Sequence, residues 1–536
     1  MRGVVAGCSR TFSAALLCAC SAVTGLEVPA PPDAAPPEAA LDASEPSPRS
    51  ARDAAPPTCA RLQMVLEDRW PFAEEALDHP GRVHVTSTPL VLPPAVEGRA
   101  ARLAFVSHGP LVDTEGRAVG DGPLETGRMA VELGGVLRIV DLASRRTISW
   151  SDPAIRALAP TATLAAGDLD GDGELELVAL GSYGHLHAFD PSGERLWTAD
   201  APPYAPLTPP SPRRTLLSVS GAPTVRDLEG DGAAEVIFGH CVVEGATGET
   251  RFCVEGEALA AAQGYWGPLS LVADLDGDGV LDVLAGRVAF RADGRLLFRL
   301  RDSLYGFPAV GDFFPGHPGP ELALVHQSRW RVMDATGGET LGQGRLPGAP
   351  FLERLFTGGP PLVADLLGDG GDGLVVANRG ELVMLDPDCA GCEVRWTTAI
   401  DDPSGATGVS GADLDGDGRP EVVHADSAEL RVLDGRTGRV RHRAPNHSRT
   451  RTESPVVADV DADGSAELVV ASGSEHRASW ESAPTPPGIA IHGERYGRWV
   501  RVDAEWLDHR GSRTTGRWAE ARGPGAPFDA GCVRDP

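Results

Sequence analysis

Lysine is absent from the 536 residues, so all 48 basic side chains are arginine. Schiff-base catalysis and the phosphate-cradling P-loop both need a lysine amine, and both are excluded. Positive charge is scarce beside 76 acidic residues, leaving a net charge of −28. A nucleic-acid partner would demand basic patches, so none is expected; the surplus acid suits a solvated surface or bound cations. Aromatic residues make up only 5% of the chain, whereas Gly (65) and Pro (46) are abundant. That balance suits many short strands joined by tight turns. There is no HExxH, no GxSxG and no GxGxxG opening a strand-to-helix unit.

No apolar run is long enough to span a bilayer, which takes about 20 residues. Residues 1–20 read as a secretory signal, with Arg2 and Arg10 ahead of and beside a short apolar stretch, Phe12 to Ala19. Leu17-Cys18-Ala19-Cys20 resembles a bacterial lipobox with Cys20 as the lipidated residue; ordinary cleavage near Ala19 or Ala22 is the alternative. Residues 21–60 are a Pro/Ala-rich tether that cannot bury a core, and residues 504–536 form an Arg/Gly-rich tail. The expected layout is lipid, tether and folded domain (61–503). This places the protein outside the cytoplasm, at the outer membrane or cell surface, in the periplasm or secreted, touching a membrane only through its anchor.

Beyond residue 20 six cysteines remain, an even number that suggests disulfides in an exported chain. Cys241 and Cys253 flank the turn EGATGE, so a hairpin would bring them together. Cys389 and Cys392 read as a structural turn, with a redox CxxC as the alternative. That leaves Cys59 with Cys532 to tie the two ends of the folded region.

Seven acidic segments recur: DLDGDGELE from Asp168, DLEGDGAAE from Asp227, DLDGDGVLD from Asp274, DFFPGHPGPE from Asp312, DLLGDGGDG from Asp365, DLDGDGRPE from Asp413 and DVDADGSAE from Asp459. Their spacings of 59, 47, 38, 53, 48 and 46 residues mark stacked or radial supersecondary units. In each unit an apolar strand leads into the acidic loop and a β-branched run leaves it; two further strands follow across an Asp- or Gly-containing turn. Four strands in so short a span make one propeller blade. A unit without an acidic loop precedes these (TPLVLP at 88–93, RLAFVS at 102–107, LRIVDLASRRTISW at 137–150). The expected fold is therefore all-β, a β-propeller of eight four-stranded blades between about residues 83 and 503. Seven blades with a composite closing blade is the alternative.

Five loops keep the pattern D-x-[DE]-x-D-G-x-x-[DE]. Their candidate ligands are Asp168, Asp170, Asp172 and Glu176; Asp227, Glu229, Asp231 and Glu235; Asp274, Asp276, Asp278 and Asp282; Asp413, Asp415, Asp417 and Glu421; and Asp459, Asp461, Asp463 and Glu467. Hard oxygen ligands in this number and flexibility suit calcium, Ca2+, and without a cation four carboxylates in nine residues repel one another. An EF-hand needs a Glu at position 12, where these loops have Ala179, Phe238, Ala285, His424 and Val470. The Asp312 loop keeps only its first acid and is expected empty; the Asp365 loop, with Leu367 at position 3 and Gly373 at position 9, is expected weak or empty.

These loops and their flanking strands, with stretches such as GYWGPLSLVADLDGDG (264–279), SPVVADVDADGSAELVV (454–470) and GIAIHGERYGRWV (488–500), resemble FG-GAP (VCBS-type) repeats. Such repeats build the integrin α-subunit propeller and many exported bacterial surface proteins. The resemblance covers most of residues 85–503. It implies a calcium-bound propeller, with the calcium loops between first and second strands and ligand recognition on the opposite face. The expected role is adhesion, recognition or scaffolding for a protein or polysaccharide ligand, without enzymatic activity. The enzyme alternatives are a quinoprotein dehydrogenase, whose repeat turns end in Trp as here at Trp150, Trp197 and Trp396, and a polysaccharide-active enzyme. His185, His187, His326 and His424 read as strand residues. Tyr265 and Trp266 either stack on a sugar or peptide or pack between blades.

Overall fold

Runs such as ELVAL (Glu176–Leu180), EVIF (Glu235–Phe238) and GLVVAN (Gly373–Asn378) are buried along their whole length. Such runs are the mark of strands covered on both faces. The computed structural model describes residues 63–500 apart from 74, 95, 97, 110–134, 151–157, 182–183, 200–220, 255–266, 301–305, 349–357, 392, 451–452 and 474–484. These residues form 33 strands in eight antiparallel sheets, within the unit Cys59–Pro536. The fold is an eight-bladed β-propeller. No helix among the described residues is long and apolar enough to cross a membrane.

Blade 2 shows the plan: Ala165–Gly167, Glu176–Leu180, Leu186–Phe189 and Arg195–Ala199 pair in sequence order. Blades 3 to 7 repeat it, starting at Thr224, Leu271, Phe307, Leu362 and Ser410. In blade 1 the first strand is split into His84–Val85 and Leu90–Leu92, both paired with Arg102–His108. First strands lie side by side from blade 2 to blade 6 and from blade 7 to blade 8, Leu90–Leu92 meets Val456–Ala458 of blade 8, and apolar layers join blade 1 to 2 and blade 6 to 7, so the ring is closed.

Alternate residues of each strand face alternate neighbours. Leu177 and Ala179 pack with Ala104, Val106 and Ile139 of blade 1, while Val178 and Leu180 pack with Val236 and Phe238 of blade 3. Each such side chain contributes about 1.5–3 kcal/mol on burial, so the core is a chain of interblade layers.

Ring closure differs from a tandem of eight complete units. Blade 8 takes three strands from the end of the propeller, Val456–Ala458, Glu467–Ser472 and Gly488–Glu494. Its outer strand, Met64–Trp70, comes from the beginning and pairs antiparallel from Met64–Glu494 to Trp70–Ile489. Eight blades and a composite closing blade thus occur together, and backbone hydrogen bonds close the ring. The Cys59–Cys532 pairing, the lipidation of Cys20, the signal, the tether and the tail all lie outside the described residues. Cys241 and Cys253 are disulfide-bonded, facing each other across adjacent strands 12 residues apart in sequence. Cys389 is disulfide-bonded too, and position 392 lies outside the described residues.

Candidate metal centre

Each acidic loop joins the first and second strands of its blade, so all of them emerge at one end of the sheets. The first Asp organises the turn. Asp168 accepts hydrogen bonds from the backbone N–H groups of Gly171, Asp172 and Gly173, at 2.7, 3.1 and 2.9 Å. The same three contacts recur at Asp274 and Asp413. The fifth-position acid caps the next bend: Asp172 accepts from Glu174 N–H at 2.8 Å. The ninth-position acid spends one oxygen on the amide of position 2, as Glu176 does with Leu169 (2.8 Å) and Glu467 with Val460 (2.8 Å). Position 2 itself is a buried apolar anchor in every copy: Leu169, Leu228, Leu275, Phe313, Leu366, Leu414 and Val460. That anchor went unread in the sequence, although an apolar residue after each first Asp was there to signal it. Position 4 needs a left-handed backbone; it is Gly171 at φ 79° in blade 2 but Ala462 at φ 66° in blade 8, a conformation costing an alanine about 1–2 kcal/mol.

The acids at positions 1, 3 and 9 converge. One oxygen from each of Asp168, Asp170 and Glu176 lies within 4.8 Å of the others; the same holds for Asp274, Asp276 and Asp282, for Asp413, Asp415 and Glu421, and for Asp459, Asp461 and Glu467. Oxygens bound to one Ca2+ at 2.3–2.6 Å lie at most about 5 Å apart, so these sets fit a shared calcium ion. Asp172, Asp278, Asp417 and Asp463 stand outside these triads, and each accepts the backbone N–H two residues on. Burial with neighbouring negative charge pushes the ninth-position acids up: Glu176 to about 7, Asp282 to about 6, Glu467 to about 9 and Glu421 well above the carboxylate range. These are carboxylates that a cation would satisfy.

Basic side chains reach several loops, a feature the loop sequences do not carry. The outer strand of every blade from 2 to 8 bulges by one residue, at Leu196, Arg251, Leu297, Leu341, Arg395, Arg441 and Glu67 in turn. In blade 3 Arg251 pairs with Glu229 at 3.2 Å and Glu235 at 3.1 Å, and with Glu244. Among the described residues, Asp227, Glu229 and Glu235 do not gather as the other four sets do. In blade 7 Arg441 pairs with Glu421 at 3.2 Å, and with Asp415 and Asp434. In blade 4 the base is Arg291 of the third strand, 2.7 Å from Asp278 and also paired with Asp276. In the degenerate loop of blade 5, His317 lies 3.2 Å from Glu321 and 3.5 Å from Asp334. The Asp365 loop of blade 6 gathers no triad among the described residues, and its Asp372 accepts a hydrogen bond from the Asp312 amide (2.9 Å). The electrostatic neighbours of Glu176 and Glu467 are all acids: Asp170, Asp172 and Asp168 for the first, Asp461, Glu67 and Asp463 for the second.

The remaining sequence candidates serve the fold. His187 and His424 are buried strand residues, His326 ends a strand and His185 just precedes one. Trp197 donates its indole N–H to Gly245 O of blade 3 (2.7 Å), and Trp396 to Gly435 O of blade 7 (2.9 Å). Each clasps one outer strand to the next blade, packed over Gly248 and Gly438, where a Cβ would clash. Trp150 packs edge-on to Phe189 at 4.6 Å. Tyr265 and Trp266 lie outside the described residues.

Residues 413–470, which hold the blade-7 and blade-8 loops, match the family model of the FG-GAP-like repeat. The propeller carries an FG-GAP-like repeat. No curated protein matches the chain. Among solved structures, this propeller is similar to the Vibrio cholerae biofilm matrix protein Bap1, with TM-score 0.63 at 17% identity over 89% of this chain and 100% of that one. It is similar at a lower level to the quinohemoprotein alcohol dehydrogenase of Comamonas testosteroni (TM-score 0.44, 13% identity, 77% and 75% covered). A rhamnogalacturonan lyase of Bacillus licheniformis stands at TM-score 0.34, 14% identity, 79% and 91% covered. At those two scores the likeness carries no functional argument.

Proposed function

We propose that this chain is a calcium-binding, extracytoplasmic β-propeller that acts as a recognition or scaffold module for a protein or glycan ligand, held to its membrane by a lipid on Cys20. The observation that carries the reading is the set of four oxygen-only triads at one end of the ring. Calcium there would rigidify the loops and leave the opposite face, with its long interblade connections, for a ligand. The Cys241–Cys253 disulfide favours an oxidising compartment. The shared architecture with a biofilm matrix protein supports a matrix or surface role. The histidines and tryptophans just described pack the fold, which favours binding over catalysis.

The test is calcium titration at millimolar concentration, joined to a glycan and protein array with and without EDTA. Retained calcium and an EDTA-sensitive ligand are expected. Metal analysis finding no calcium, or turnover of a captured polysaccharide or alcohol, would overturn the reading.

A further inference from the structure

We propose that the blade-8 loop is a ring-locking calcium site, to which Glu67 of the closing strand supplies a ligand from the opposite end of the chain. The inference rests on the calcium reading above and adds to it one residue and one consequence: calcium at this loop fastens the propeller shut.

Four observations converge. First, Glu67 is the bulge residue of Met64–Trp70, between Leu66, opposite His492, and Asp68, opposite Ile491. A bulge turns its side chain out of the regular alternation, and at the corresponding bulge in blade 7 stands Arg441, paired with Asp415 and Glu421 of that loop. Blade 8 therefore puts an acid where blade 7 puts a base. Second, the Glu67 carboxylate lies over Gly493, where any Cβ would collide with it. Third, the charges that act on Glu67 are Asp461, Asp463 and Glu494, and Glu467 feels Glu67 in turn. Fourth, the hydroxyl of Ser465, in the same loop and 2% exposed, has no hydrogen-bond partner among the described residues.

Glu67 stands outside the converging set of Asp459, Asp461 and Glu467, yet its charge acts on Asp461 and Glu467 from a strand more than 390 positions upstream and pushes that strand away unless a cation lies between them. With calcium the sign reverses. A metal there would tie Met64–Trp70, the first of the described strands, to the loop between Val456–Ala458 and Glu467–Ser472 of the last blade.

The experiment combines calcium titration with hydrogen–deuterium exchange of residues 64–70, on the full chain and its variants. In the wild type, millimolar calcium should slow exchange in 64–70 more than in Arg195–Ala199, the outer strand of blade 2. Glu67→Gln, nearly isosteric, should weaken one calcium site by at least ~10-fold and abolish the protection. Asp168→Asn should remove a different site and leave 64–70 protected. Glu67→Arg, which rebuilds the blade-7 arrangement, should keep 64–70 protected with or without calcium and show that the strand still docks. Unchanged calcium binding and protection in Glu67→Gln would overturn this inference alone, whereas a wild type that binds no calcium would overturn it together with the calcium reading.

Discussion

Replacing Trp70 by alanine should open the ring at its seam. Trp70 belongs to blade 8, yet much of its packing is with blade 1: its ring is 1% exposed and meets Phe105 edge-on at 4.8 Å. Its indole N–H donates to Thr147 Oγ1 at 2.9 Å, and the Arg138 guanidinium lies 5.6 Å from its ring centroid. Truncating a buried Trp costs about 3–5 kcal/mol, of which the aromatic pair accounts for ~0.5–1.5 and the hydrogen bond for ~1. Trp70→Phe keeps most of the buried area and should cost only about 1–2 kcal/mol, mainly the lost N–H bond and a small cavity. The assay is urea unfolding of both variants beside the wild type, with amide exchange of residues 64–70 to locate the loss. Exchange in 64–70 should rise before the global transition, because among the described residues only this strand crosses the seam from the other end of the propeller. A Trp70→Ala shift below ~1 kcal/mol, or protection of 64–70 that tracks the rest of the ring, would refute the reasoning.

Arg441→Ala should raise the calcium affinity of the blade-7 loop ~5–30-fold, since removing a partly exposed competing guanidinium relieves about 1–2 kcal/mol of repulsion towards the metal; calorimetric titration showing no change would count against it. In EDTA, stability should rise as pH falls from about 9 towards 6.5, because Glu467 (about 9) and Glu176 (about 7) bind protons more tightly folded than unfolded. Below about 6.5 the buried His84 (about 3), His187 (about 4) and His492 (about 4), held neutral in the fold, oppose the rise as the unfolded chain takes up more protons, while Glu421 and Asp282 (about 6) still add to it. The metal-free gain per pH unit should therefore shrink below about pH 6.5, and melting curves across pH 5–9 check it. Replacing Cys241 and Cys253 together by serine should cost about 2–3 kcal/mol in urea denaturation, the chain-entropy value for a closed loop of this length.

The blades and their loops were legible because each is local. An Asp at Asp168, a glycine at Gly173 and an acid at Glu176 define a turn within nine residues, and the flanking ELVAL run fixes the strand that follows. The closing strand was not legible. MVLEDRW carries Glu67, Asp68 and Arg69 in succession and reads as surface, and its partner lies more than 400 residues away, so no periodicity links them. The basic partners were hidden for a related reason. Arg251 and Arg441 sit in outer strands where an arginine is ordinary, and only the bulge aims them at a loop. The separate duties of the four acids also needed geometry: three converge on a common point, while Asp172 and its counterparts hold the turn.

The closing strand also has a history in time. Trp70 pairs with Ile489, 419 residues later. At ~5–20 residues per second of synthesis, Met64–Trp70 waits roughly 20–80 s after it is made before its partner exists. Throughout that interval it is a solitary strand with unpaired backbone groups, the kind of template that invites a neighbouring chain. Glu67, Asp68 and Arg69 are then a safeguard as well as a seam: three consecutive charges make the segment a poor match for any apolar edge until the acidic rim of its own last blade arrives.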